Sequence, residues 1–115
     1  MKIVGMNQIE KTPVTMNGAS GAYRQLVLGK ADGVPTVSFR VFTLDPGGCT
    51  PHHTHDAEHM NYIIEGDGCL VDEQGLEHPV KAGDFAFVPS REKHQYRNKG
   101  QGLFKMICAV PKEYE

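Results

Sequence analysis

Apolar residues in this chain come in short runs with glycine and proline between them. Val, Ile, Phe and Tyr concentrate in Tyr23–Leu28, Thr36–Leu44, Met60–Ile64, Gly68–Asp72, Phe85–Val88 and Leu103–Val110. Runs of β-branched and aromatic residues bounded by turn chemistry predict a succession of β-strands. Glu65-Gly66-Asp67-Gly68, Glu73-Gln74-Gly75, Lys81-Ala82-Gly83-Asp84 and Lys99-Gly100-Gln101-Gly102 put glycine where a tight connection needs a positive φ. No long stretch carries a 3.6-residue apolar period, so the expected helix content is one short turn near the N-terminus. In the last run Phe104, Met106 and Cys108 share one face, and Leu103, Lys105, Ile107 and Ala109 share the other. Both faces are largely apolar. Such a strand is expected to be covered on one side by a sheet and on the other by a second subunit or by the N-terminal segment.

The chain has 115 residues, enough for one domain, and its 13 glycines and 7 prolines fit an all-β sandwich or barrel. A formal charge of −2, with Lys and Arg scattered, lacks the basic footprint of a nucleic-acid binder. The longest uninterrupted apolar run, Met106–Val110, is far too short to cross a membrane. Met1-Lys2-Ile3-Val4-Gly5 has no apolar signal core, and the 3 cysteines (Cys49, Cys69, Cys108) form no C-x-x-C pair. A disulfide framework is therefore not expected, and a reducing cytoplasm is the simplest home.

The chemistry concentrates in Pro51-His52-His53-Thr54-His55-Asp56-Ala57-Glu58-His59. In an extended strand His53 and His55 project to one side, with His52 and Thr54 opposite. Asp56-Ala57-Glu58 can turn the chain so that His59 returns to the same point. His94, after Pro89-Ser90-Arg91-Glu92-Lys93, is expected in a strand of its own. Neutral imidazole is a good ligand for Zn, Mn, Fe, Co, Ni and Cu, and facing strands of a small barrel bring inward side chains together. His55-Asp56-Ala57-Glu58-His59 also matches H-x-x-E-H, a metalloprotease signature, but that motif requires a helix. Pro51 before it and the strand-like Asn61–Ile64 after it argue against one. His52 and His78 read as ordinary surface histidines, and Glu58 as solvent-facing or as an acceptor for a ligand's N–H.

Two segments resemble a known family. Gly47-x5-His53-x-His55-x3-His59-x6-Gly66 looks like the first motif of the cupin superfamily, with His59 where most members carry a glutamate. Gly83-x5-Pro89-x-Arg91-x2-His94-x3-Asn98 looks like the second, with Arg91 where a glycine is usual. The likeness is greatest to small single-domain cupins with a four-histidine, manganese-type site. It implies an all-β jelly-roll barrel (a double-stranded β-helix) over residues 1–115. Residues 36–110 would be the barrel core, and 1–20 an extension on the barrel or on a partner subunit. It implies His53, His55, His59 and His94 as ligands of one divalent transition-metal ion per chain, manganese first, with Fe, Ni, Zn, Cu or Co as alternatives. A histidine in place of the glutamate removes an anionic ligand, so the ion keeps its full charge.

Four neutral ligands on an octahedral ion leave two positions open, the mark of a catalytic site. Phe104, Met106 and Cys108 are expected to line the pocket, which favours a small, partly apolar substrate with an oxygen donor. Arg40 shares a face with Ser38 and Phe42, and facing inward it could hold a carboxylate. Tyr62, Phe85 and Phe87 read as core or interface aromatics. The expected function is a metal-dependent oxidoreductase of the dioxygenase or peroxide-using type acting on a small molecule. Alternatives are non-catalytic metal-dependent metabolite binding and, less favoured for want of a general base, sugar isomerisation or epimerisation. A homodimer would help a chain this small to bury its apolar faces.

Overall fold

Period-two alternation governs the main strands, because side chains of a strand leave on opposite sides in turn. A computed structural model, which describes residues 1–115 in full, arranges them as β1 (Thr12–Pro13), β2 (Ser20–Leu28), β3 (Val37–Cys49), β4 (His59–Glu65) and β5 (Asp67–Val71), followed by β6 (Glu77–Lys81), β7 (Phe85–Val88), β8 (Gln95–Asn98) and β9 (Phe104–Pro111). Single 3-10 turns cover Met6–Gln8, Lys30–Asp32 and Lys112–Tyr114. Every strand pair is antiparallel, in the order β6-β5-β8-β3-β9-β4-β7, with β2 on the other edge of β3 and β1 on β2. The sheet curls into the single-domain jelly roll that the turn spacing and the family likeness led one to expect. No helix is long and apolar enough to cross a membrane.

The 13-residue β3 joins the two halves of the barrel. Over Val37–Leu44 it pairs with β9, and its far end pairs with β8 through Cys49 and Arg97. The register lays Arg40 beside Cys108, and Cys108 beside Asn61, so three strands contribute to one inward row. One end of the barrel is closed by Ala22, Leu44, Ile63, Tyr96, Phe104 and Met106, all buried. Gly66 makes the turn from β4 to β5 possible: its φ is +90°, and a Cβ there would lie 2.3 Å from the Leu103 carbonyl oxygen. Near the N-terminus the side chain of Gln25 donates to the carbonyls of Met6 (2.8 Å) and Ile9 (2.9 Å), fixing that segment against β2.

Some expectations are corrected. Residues 51–58 are not a strand; only His53 makes an isolated bridge, to His94, with both backbone bonds at 3.1 Å. Pro51, which has no N–H to offer a ladder, stands at the head of this irregular stretch. The strand expected around His94 begins one residue later, at Gln95. β6, Glu77-His78-Pro79-Val80-Lys81, has a mostly polar sequence that gives no strand signal, and it lies at a sheet edge, mostly exposed. Gly66, Gly75 and Gly83 take positive φ as expected, whereas Gly68, Gly100 and Gly102 do not. Phe85 (80% exposed) and Phe87 (60%) are not core residues.

A histidine cluster in the open end of the barrel

The end of the barrel opposite the closed core holds the histidines. His53, His55 and His94 offer nitrogens that all lie within 4.8 Å of one another. Their ring centroids are 5.0 Å (His53–His55), 5.3 Å (His53–His94) and 4.9 Å (His55–His94) apart. His59, the first residue of β4, stands against the same group, 5.2 Å from His55 and 4.9 Å from His94 between ring centroids. No helix forms over residues 55–59, so the protease-like motif has no structural counterpart.

The loop that carries His53 and His55 is held from β7–β8. The backbone N–H of Arg91 donates to the carbonyl of His55 at 2.8 Å, and its Nε reaches Asp56 Oδ1 at 3.0 Å. Arg91 is the one non-glycine residue with a positive φ, +66°. It thus adopts the left-handed geometry that favours glycine, a conformation that costs a side-chain-bearing residue free energy. The ion pair is exposed and contributes little by itself; the backbone bond is what ties the turn before His94 to the loop of His55.

Hydrogen bonds set which ring nitrogen faces the pocket. Nδ1 of His94 lies 2.8 Å from the Glu92 carbonyl and Nδ1 of His55 lies 2.7 Å from the Ala57 carbonyl. A carbonyl only accepts, so each Nδ1 carries the proton and each neutral ring keeps its lone pair on Nε2. His59 Nδ1 donates to Asn61 Oδ1 at 2.7 Å, and the Tyr96 hydroxyl donates to the same oxygen at 3.0 Å. The amide nitrogen of Asn61 faces the Ile107 carbonyl at 3.5 Å. Nε2 of His59 then meets Nε2 of His94 at 3.1 Å, lone pair against lone pair. A cation between such nitrogens relieves the repulsion, so the donor set fits a divalent transition metal.

Electrostatics agree with that fit. Burial, with a smaller contribution from neighbouring rings and Arg40, pushes His59 down to about 3, against the Asn61 bond that raises it. Burial first, then the adjacent histidines, lowers His53 to about 4, and burial lowers His94 as well. Neutral imidazoles are the form that binds metal. Burial raises Tyr96, which stays a neutral phenol.

The cluster opens into a cavity of about 280 Å³. Arg40, Met106 and Cys108 line it, and so do Val14, Met16, Phe42 and Tyr114. Phe104 is a correction: it is fully buried in the closed end, packed near Tyr96, and does not reach the cavity. Arg40 lies with its guanidinium carbon 5.0 Å from the centroid of the Phe42 ring, and its Nη2 lies 3.0 Å from Cys108 Sγ. Its Nε is buried without any acceptor. No Asp or Glu is among the lining residues. His52 and His78 are outside the site, bonded to the Asp72 carbonyl and carboxylate respectively, and Glu58 is exposed.

Sequence reasoning missed Asn61 and Tyr96 as supports of the cluster. The signal existed: each lies two residues beyond a histidine, His59 and His94, and period two puts it on the same side. Val14, Met16 and Tyr114 come from distant segments, and nothing local marks them.

The Cupin_2 family model, described as a cupin domain, matches residues 40–110. An oxalate-binding protein of Thermotoga maritima is 38% identical over 73 residues, which are 63% of this chain and 60% of that protein. The chain therefore spans about three-fifths of the length of that curated relative. Among solved structures, the polyketide cyclase RemF from Streptomyces resistomycificus superposes with a TM-score of 0.90 at 28% identity, over 96% of this chain and 79% of that one. A predicted oxalate decarboxylase from Thermotoga maritima gives 0.83 at 25% identity, over 96% and 99%.

Proposed function

The chain belongs to the cupin domain family, and on that premise we propose that it is a metal-dependent enzyme acting on a small organic acid. His53, His55, His59 and His94 would hold one divalent ion, manganese first among the candidates. The observation that carries this reading is the gathering of His53, His55 and His94 within 4.8 Å of one another with His59 against them, and the engagement of Nδ1 on His55, His59 and His94 by acceptors that leave Nε2 free for an ion. When bound, such an ion supplies Lewis-acid polarisation of a ligand oxygen and, if redox-active, a route for electrons.

The chain's own residues supply recognition and exclusion. Arg40 has no carboxylate partner in the protein, and a buried guanidinium N–H without an acceptor costs free energy that an anionic ligand recovers. The lining holds no carboxylate that could repel an acid or act as a general base. With His53, His55, His59 and His94 committed to the ion and Tyr96 held neutral, the proton-shuffling needed for sugar isomerisation or epimerisation has no free base to perform it. Metal-centred oxidoreductase chemistry of the dioxygenase or peroxide-using type is therefore the reading we favour. The oxalate-binding relative supports the acid as ligand; it equally supports a second reading, metal-dependent binding without turnover.

The test compares metal-free protein with protein loaded with Mn(II) or Fe(II). Calorimetry against oxalate and other small acids should show binding that requires the ion. Addition of dioxygen or peroxide should then consume the bound acid. Acid that binds and is recovered unchanged under every oxidant would leave the binding reading. Absence of any acid binding to the loaded protein would refute both.

The proposed assembly is a homodimer. On the outer face of the sheet Phe39, Ala109, Met60 and Phe87 form one cross-strand row, and Val41, Ile107, Tyr62 and Phe85 form the next. Phe85, Met60, Phe87 and Phe39 are 80, 61, 60 and 43% exposed. Rows without a charge over four strands are what a second copy would cover.

A further inference from the structure

The lining of the cavity combines two kinds of side chain. The histidines present Nε2 lone pairs, and beside them stands Arg40, the one cation in the lining, with its Nε unpaired. Around them the wall is Val14, Met16, Phe42, Met106 and Tyr114, with Phe42 against the Arg40 guanidinium. These come from the segment after β1, from β3, from β9 and from the final 3-10 turn, so several elements converge to build an apolar chamber. The tail segment bearing Tyr114 is fixed in place: the Glu115 side chain accepts from Ser38 Oγ and from the Lys30 N–H, and its carbonyl accepts from Arg24.

Size decides what such a chamber is for. About 280 Å³ corresponds to roughly nine water molecules at ~30 Å³ each. A two-carbon dicarboxylate would fill a minor part of it and leave water against apolar side chains. A cation and ligating nitrogens set among apolar side chains match a ligand that carries both a charged group and an apolar body.

We infer that the ligand of this site is an amphipathic organic acid, its carboxylate toward Arg40 and the histidines and an alkyl or aryl body of about one benzene ring seated on Val14, Met16, Phe42 and Tyr114. This rests on the organic-acid reading above and narrows it. A compact dicarboxylate uses the polar groups alone.

The experiment is a calorimetric comparison of oxalate, pyruvate, phenylpyruvate and the neutral ketone phenylacetone on the Mn(II)-loaded chain. Burying a phenyl ring predicts that phenylpyruvate binds roughly 10- to 100-fold more tightly than pyruvate. Met16→Ser, at a half-exposed position that leaves the core intact, should lower phenylpyruvate affinity about threefold and leave pyruvate unchanged; Phe42→Ala, which also removes the ring beside the Arg40 guanidinium, should lower phenylpyruvate affinity more strongly. Arg40→Met should weaken both acids and spare phenylacetone. Oxalate or pyruvate binding as tightly as phenylpyruvate would overturn the inference while leaving the organic-acid reading in place. Phenylacetone equal to phenylpyruvate would overturn the role given to Arg40. Failure of every acid to bind the loaded protein would refute the organic-acid reading itself, and the inference with it.

Discussion

Replacing Asn61 with leucine tests how the cluster is held ready for an ion. Asn61 is 2% exposed, and its Oδ1 accepts from two buried donors, His59 Nδ1 at 2.7 Å and the Tyr96 hydroxyl at 3.0 Å. Leucine has nearly the same shape and no acceptor. Each stranded donor costs about 1–3 kcal/mol, so the two together threaten about 2–6 kcal/mol, a large share of the ~5–15 kcal/mol that holds a domain of this size. The His59 ring has an escape that Tyr96 lacks. Its proton can move to Nε2 and donate to Nε2 of His94, 3.1 Å away. That relieves the strain and removes one lone pair from the pocket.

The consequence is read in metal affinity. Loss of a group that orients a ligating histidine typically costs 10- to 100-fold, and that is the expected weakening for Asn61→Leu in a competition titration against a chromophoric chelator. Asn61→Asp restores the acceptor and should bind the ion at least as well as the parent. Nitrogen-15 NMR of the histidine rings should find His59 protonated at Nδ1 in the parent and in Asn61→Asp, and at Nε2 in metal-free Asn61→Leu. Parental affinity in Asn61→Leu, with Nδ1 of His59 still protonated, would refute the reasoning. So would a loss in Asn61→Asp equal to that in Asn61→Leu.

Three further outcomes are expected. His59→Ala should weaken metal binding by at least about tenfold, because a three-imidazole site must complete itself with solvent; unchanged stoichiometry and affinity by metal analysis would exclude His59 as a ligand. Metal-free protein should lose stability as pH falls from about 6.5. Folded His59 resists protonation down to about 3 and the unfolded chain takes its proton near 6.5, so the folded state is penalised by up to ~1.4 kcal/mol per pH unit across that window. A urea midpoint that does not change between pH 7.5 and 5 would contradict this. Phe87→Glu, on the exposed apolar face, should shift a dimer to monomer in sedimentation; a parent protein that sediments only as a 12.7 kDa species at micromolar concentration would refute the dimer.

What could be read from the sequence was whatever depends on local pattern. β7 was legible as Phe85–Val88 residue for residue, and β4 and β9 within one residue at each end, because alternation and flanking turns are written in neighbouring residues. That Cys108 and Met106 share one face followed from the same period; that this face turns inward is a matter of which strands pack beside it, which the local pattern does not carry. Phe104 shares that face and still misses the cavity, because two residues along a strand carry a side chain roughly 6–7 Å, enough to pass from the open end to the closed core. β6 escaped notice because an edge strand needs no apolar face. Residues 51–58 looked extended and are irregular, yet His53 and His55 still converge, since the bridge to His94 and the Arg91 backbone bond do the work that a ladder would have done.

The spacing of the histidines therefore carries less information than what lies behind them. His55 and His94 lean on backbone carbonyls and His59 on an amide, all neutral acceptors, where a carboxylate would have made the rings more electron-rich and cancelled charge. Add Arg40, with its Nε unpaired and no carboxylate beside it, and a lining with no acid, and every polar choice near the cluster leaves positive charge in place. A site arranged to neutralise its ion would have done the opposite with the same fold. Here the missing negative charge has to come from the ligand, and Asn61→Asp separates the two designs: an acid added behind His59 should strengthen hold on the ion and weaken hold on a carboxylate at once.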